Sequence, residues 1–99
     1  MTGSRYNRLV RFECNDRKAK TNLKKHDVAF TEATQVFGDP LAITFSDPQH
    51  SLGEFRFITF GLTRTGKLLV IAHAEREESI RIISARPATR IERKIYEED

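Results

Sequence analysis

The chain has no tryptophan, one methionine, one cysteine (Cys14), three prolines and five glycines among its 99 residues. A single cysteine rules out an internal disulfide, and no Cys/His spacing suits zinc. No run of 18 apolar residues exists, so no membrane-spanning helix is expected. The start, Met1 to Arg8, lacks the apolar centre of a signal peptide, which makes cytoplasmic residence the simplest expectation. There is no glycine-rich phosphate loop, no metal-ligand set and no Ser-His-Asp order, so neither a metal nor a cofactor is expected.

What is present is ordinary globular material: 38% hydrophobic and 31% charged residues, with no low-complexity tract. This length predicts one domain over 1–99, with residues 1–7 frayed. The net charge of +3 points only weakly to an anionic partner, so the placement of charge matters more than its sum.

The chain is organised around Glu54 to Arg86. Three apolar, β-branched and aromatic runs of strand length are separated by short polar breaks, which predicts an antiparallel meander. Thr63-Arg64-Thr65-Gly66 makes the first hairpin turn, and Glu75 to Ser79 the second. Ahead of the meander, Leu9 to Cys14 alternates as a short strand, with Cys14 a small core residue. Asn15 caps a helix from Asp16 to about His26, whose buried stripe is Ala19 and Leu23. Phe30, Ala33 and Phe37 space a second short helix, ended by Gly38 and Asp39-Pro40. Leu41 to Ser46 is a further strand, followed by a loop over 47–53. Pro87 opens a last helix through about Glu97, with Ile91 and Ile95 four apart. The class is therefore α+β: an antiparallel sheet of four to five strands covered by short helices, in the order β-α-α-β-β-β-β-α.

Several polar residues stand where chemistry is possible. Glu54 and Arg56 are two apart at a strand start and share one face with Ile58 and Phe60. A carboxylate there is a candidate base and an arginine a phosphate clamp; the plain alternative is a local ion pair at a solvated strand end. Arg81 lies between Ile80 and Ile82, so it either pairs with an acid such as Glu54 or Glu75 or faces a pocket. Arg86 stands near the positive end of the last helix, a natural place for an anion. Lys24, Lys25 and His26 close the first helix, where cations are stabilising without any function, although His26 has the chemistry of a general acid or base. His73 is expected in the core. The Tyr96 hydroxyl can donate, while its ring is expected to pack; for His50 nothing decides. Such a set suits RNA cleavage in which the 2′-hydroxyl supplies the nucleophile and the protein supplies a proton acceptor, a donor and positive charge. A basic binding module has much the same composition.

The segments 15–26, 30–33, 36–42, 53–57, 80–86 and 88–97 occur in an order and at a spacing that resemble the BrnT family, toxins of type II toxin–antitoxin systems. The resemblance implies a RelE-like fold and a metal-independent endoribonuclease that arrests translation and growth. It implies a BrnA-like ribbon-helix-helix antitoxin, in a 2:2 complex that meets DNA only through the antitoxin. It matches the family's polar pattern at Lys18, Asn22, Lys25, His26, Glu54, Arg56, Arg81, Arg86 and Tyr96. On that basis Glu54 or His26 is the expected base, Arg56, Arg81 and Arg86 hold the phosphate, and Tyr96 or Lys25 assists the leaving group. Lys18, Lys24 and Arg90 are expected to contact RNA. The chain departs from the pattern at Cys14-Asn15, where Trp-Asp is usual. It departs again at Asp27, usually Gly, at Ala29, usually Ser or Thr, and at Pro87, usually basic.

Overall fold

The computed structural model describes residues 10–48, 53–76 and 78–98. The expected frayed start at 1–7 and the undecided His50 lie outside them. The element order is β1 (Arg11–Cys14), α1 (Asp16–His26), α2 (Phe30–Ala33), a 3₁₀ segment (Thr34–Gly38), β2 (Ile43–Ser46), β3 (Arg56–Leu62), β4 (Leu68–Arg76), β5 (Ser79–Pro87) and α3 (Arg90–Glu98). The five strands form one sheet in the order β1-β5-β4-β3-β2. The meander β3-β4-β5 is antiparallel as expected, and β2 adds to it antiparallel. β1 pairs parallel to β5, so the sheet is mixed. A parallel pair needs a long crossover, and everything from α1 to β4 lies between these two strands.

Phe60, Leu68, Val70 and Ala74 are buried on one face of the sheet, while the other carries the main core. Leu69, Ile71 and His73 of β4 and Ile80, Ile82 and Ala85 of β5 are buried there. Val28, Phe30, Ala33, Val36 and Phe37, on and just before α2 and the 3₁₀ segment, pack onto that face. Gly61 on β3 is required by this contact: a Cβ there would lie 2.6 Å from Val36 Cγ1. Gly66 supplies the positive φ of the β3–β4 turn, with φ 87°. His73 is fully buried, hydrogen-bonded through Nε2 to Thr59 Oγ1 at 2.8 Å, and set edge-on to Phe37. It is the core histidine that the sequence predicts.

Local signals account for the helices and for their exceptions. Asn15 accepts from the Lys18 amide, as a cap should. α1 closes at Asp27, in the left-handed region at φ 57°, with its N–H on Leu23 O. Ala29 starts α2 without any side-chain cap. The predicted helix over Phe30–Phe37 tightens to 3₁₀ after Ala33.

Four expectations need correction. Leu23 is not in the buried stripe of α1 but 48% exposed; Asn22 is the buried residue, because α1 lies against a strand edge that needs hydrogen bonds. Cys14 is exposed, because every residue of the edge strand β1 is exposed. Pro87 ends β5 and does not open α3. Thr89 is the cap instead: its Oγ1 accepts from the Glu92 amide while Glu92 Oε1 accepts from the Thr89 amide, a capping box. Finally, α3 buries none of its residues, although Ile91 and Ile95 space an apolar stripe. The second meander turn is also tighter than expected, since Arg76 pairs with Ser79.

Candidate functional site: an arginine cluster on the open sheet face

Strand alternation puts Arg56, Arg76, Arg81 and Arg86 on the face away from the core. Register fixes this: Arg56 is opposite Ala74 and Ala74 opposite Arg81, while Arg86 is opposite Val70. Arg81 can turn outward between two buried isoleucines because Ile80 and Ile82 occupy the core phase of the strand. A bulge follows at Ile83, where His73 opposes Ile82 but Ala72 opposes Ser84.

Three of these arginines converge on one carboxylate. Glu54 Oε2 accepts from Arg56 Nε at 3.2 Å and from Arg81 Nη2, and Glu54 Oε1 lies 3.6 Å from Arg76 Nη2. Arg81 Nε is buried with no hydrogen-bond partner among the described residues. Partial burial pushes the Glu54 carboxyl upward. The hydrogen bond from Arg56 and the charges of Arg81, Arg56 and Arg76 outweigh that and hold it below the usual carboxylate range. Three guanidiniums thus gather around one carboxylate, with Glu75 in the wall of the same hollow. Beside it, Gly53, Glu54, Phe55, Glu75 and Arg76 line a hollow of about 630 Å³. Phe55 stands 75% exposed at its wall. Arg76 and Phe55 were not singled out from the sequence, and Glu75 was expected only as an acid that could pair with Arg81. For Arg76 the signal was there: two residues beyond Ala74, it continues the Arg56 face.

The remaining predicted residues lie elsewhere. Arg86 sits four β4 positions from the cluster row, about 13 Å along the strand. Both its terminal nitrogens bind Glu92, each at 2.7 Å. The anion expected at the start of the last helix is therefore the chain's own capping glutamate. The Arg86 hydrogen bond outweighs burial and, with the Thr89 cap, pulls the Glu92 carboxyl down to about 2. Tyr96 donates to Asp39 Oδ2 at 2.6 Å. Burial first, then that hydrogen bond and the Asp39 charge, pushes its phenol well above the usual range. Asp39 also accepts the amides of Leu62 and Leu41, so it ties α3, β3 and the lead into β2 together.

Lys18, Lys25 and His26 are in the other layer. With Arg17, Thr21 and Asn22 of α1 they rim a hollow of about 300 Å³ over Ile83 and Ser84, at the edge of β5 that β1 leaves uncovered. Lys24 is exposed on the same helix, and Arg90 is exposed at the first turn of α3. One phosphate cannot therefore meet all the predicted groups as they stand. Glu54, Arg56 and Arg81 are brought together, whereas Lys25 and His26 are set apart from them. Among the described residues no cluster of His, Cys, Asp and Glu has the makings of a metal site, and no helix is long and apolar enough to cross a membrane.

The crystal structure of the Brucella abortus ribonuclease toxin BrnT superposes with a TM-score of 0.65 over 83% of this chain and 100% of that one, at 16% sequence identity. At that identity the likeness shows the α+β fold alone. A comparison with curated sequences gives no match. A family model described as "Ribonuclease toxin, BrnT, of type II toxin-antitoxin system" matches residues 15–92, which span α1 through the capping box of α3. The chain belongs to the BrnT family of ribonuclease toxins of type II toxin–antitoxin systems.

Proposed function

We propose that this chain is an endoribonuclease that cleaves RNA at the Glu54–Arg56–Arg76–Arg81 cluster without a metal ion. The observation that carries this is the convergence of three guanidiniums on one carboxylate beside an open hollow. A phosphodiester offers the same oxygens and fork geometry that Glu54 now offers to these guanidiniums. When a scissile phosphate takes over the guanidiniums, Glu54 loses the contacts that depress it and becomes the proton acceptor for the 2′-hydroxyl. That oxygen attacks the adjacent phosphorus, the bond to the 5′ oxygen breaks, and a water protonates the leaving oxygen. The arginines stabilise the charge that builds on the phosphorane. Phe55 offers a face on which an unstacked base can rest.

In this scheme Arg86 and Arg90 extend the basic strip towards α3. Lys18, Lys24, Lys25 and His26 bind RNA away from the cut. Tyr96, tied to Asp39, fixes α3 and takes no part in proton transfer. Cleavage would arrest translation and growth, and a cognate antitoxin of the BrnA-like ribbon-helix-helix type would neutralise it. The test is cleavage of a single-stranded RNA in EDTA by the purified chain, with 2′,3′-cyclic phosphate and 5′-hydroxyl ends expected. Salt-sensitive binding that leaves the RNA intact would instead make the chain a basic binding module.

A further inference from the structure

α3 is an amphipathic helix whose apolar stripe stands in solvent. Ile91 and Ile95, one turn apart, are 72% and 41% exposed. The helix is anchored by polar pins: Arg86 on Glu92 at its start and Tyr96 on Asp39 near its end. Through the other oxygen of Asp39, which accepts the Leu41 amide, the second half of α3 is tied to Leu41, itself 71% exposed. Two residues after Leu41, β2 begins at Ile43, and its Phe45 is 45% exposed and in ring contact with Phe60. By register Ile43 and Phe45 are on the same face as Arg56, Arg81 and Arg86. A set of exposed large apolar side chains on one face, bordered by charge, marks a contact surface.

The charge around it selects the partner. Arg90 and Lys94 flank one side of the stripe on α3, Glu98 follows Ile95 by three residues along the stripe, and the arginine row continues the basic border across the sheet. This border already takes carboxylates, from Glu54 and Glu92 of the same chain. A second copy docking by the same patch about a two-fold axis would set basic borders against each other, which disfavours it. We infer that Ile91, Ile95, Leu41 and Phe45 form the docking surface for an acidic amphipathic segment of the antitoxin. Its carboxylates then engage the neighbouring arginines where a phosphodiester would otherwise bind. The existence of the partner rests on the toxin reading; the surface rests on the exposure and charge above.

The test uses the full chain and the protein encoded by the adjacent reading frame, purified separately and titrated by calorimetry. Ile91→Asp/Ile95→Asp should weaken binding about 100-fold or more, and Ile91→Ala/Ile95→Ala about 10-fold. Leu23→Asp, also at an exposed apolar residue but on α1, should leave binding within about 3-fold of the parent. The free Asp double variant should melt like the parent and cut RNA at the parental rate, but escape inhibition by the antitoxin. Parental affinity in the Asp double variant overturns the proposal. So does a dimer of the free chain in sedimentation that the same substitutions dissociate, since a second copy would then own the surface. If the parent binds the antitoxin through this stripe but cuts no RNA, the ribonuclease reading fails and the docking surface stands.

Discussion

The side-chain amide of Asn22 hydrogen-bonds both backbone groups of Ala85, accepting from its N–H at 3.0 Å and donating to its carbonyl at 2.7 Å. It does so at the point where β1 has ended and β5 would otherwise show a bare edge towards α1. The same amide donates to Val28 O at 3.0 Å. A single side chain from the first helix thus stands in for a strand neighbour and fixes the helix on the sheet. Removing it leaves buried backbone groups without partners, each costing about 1–3 kcal/mol. Asn22→Ala should therefore lower stability by about 3 kcal/mol, read by chemical denaturation. Asn22→Leu should be no better, because apolar volume does not supply the missing bonds. A loss under about 1 kcal/mol would show that water replaces the amide.

Glu54 and its arginines should separate folding from cleavage. Arg81→Ala and Arg56→Ala should each lower kcat about 100-fold or more, the usual cost of removing one pre-organised charge donor. Glu54→Gln should lower kcat as well, and it should also loosen the cluster, because three arginines then lose their carboxylate. Arg86→Ala should cost far less activity, since its partner is Glu92 in the capping box. Comparable losses for Arg86→Ala and Arg81→Ala would place the scissile phosphate nearer to α3 than proposed.

The acid side of the stability profile should carry the Glu92 pair. Its folded carboxyl is pulled down to about 2 from an ordinary value near 4.5. A depressed carboxylate contributes stability that is fully present above the unfolded value and is lost as pH falls from about 4.5 towards 2. With Arg86 more than a third exposed, screening reduces that contribution to roughly 1–2 kcal/mol. Glu92→Gln should be less stable than the parent by about that amount at pH 7, and the gap should close near pH 2. A gap constant with pH would trace the cost to capping alone.

Two local weak points should respond to single stabilising changes. Asp27 holds the left-handed φ of 57° that glycine adopts more easily, so Asp27→Gly should gain about 0.5–1 kcal/mol. Ala29 leaves the first turn of α2 uncapped, so Ala29→Ser should gain a further amount of about 1 kcal/mol. Thermal melts of each single variant should show a rise, and because the sites are only two residues apart the double variant should depart from the sum of the two. For a domain of this size each kcal/mol moves Tm by about 4–8 °C.

Much of the fold was legible before any coordinates. The Asn15 cap, the limits of α1, the Phe30-Ala33-Val36-Phe37 spacing, the Thr63–Gly66 turn and the three long strands all follow from local chemistry, and local chemistry is written residue by residue. The errors have a common origin in neighbours distant in sequence. Nothing near Leu23 announces that the adjacent Asn22 would be needed at Ala85, 63 positions away. Nothing near Ile91 and Ile95 announces that α3 would be held by Arg86 and Asp39 and leave its apolar stripe outside.

The candidate site divides in the same way. That Arg56, Arg81 and Arg86 belong to a β-layer is a property of their spacing alone; Glu54, expected on the same strand face as Arg56, instead lies in the bend just before β3. Which of them meet was decided by strand register and by the bulge after Ile82, which bring Arg81 across Ala74 to Arg56 and leave Arg86 to Glu92. Spacing acts within an element, through periods of two or 3.6. The gathering of charge across elements depends on pairing partners far along the chain, and only the folded sheet supplies those.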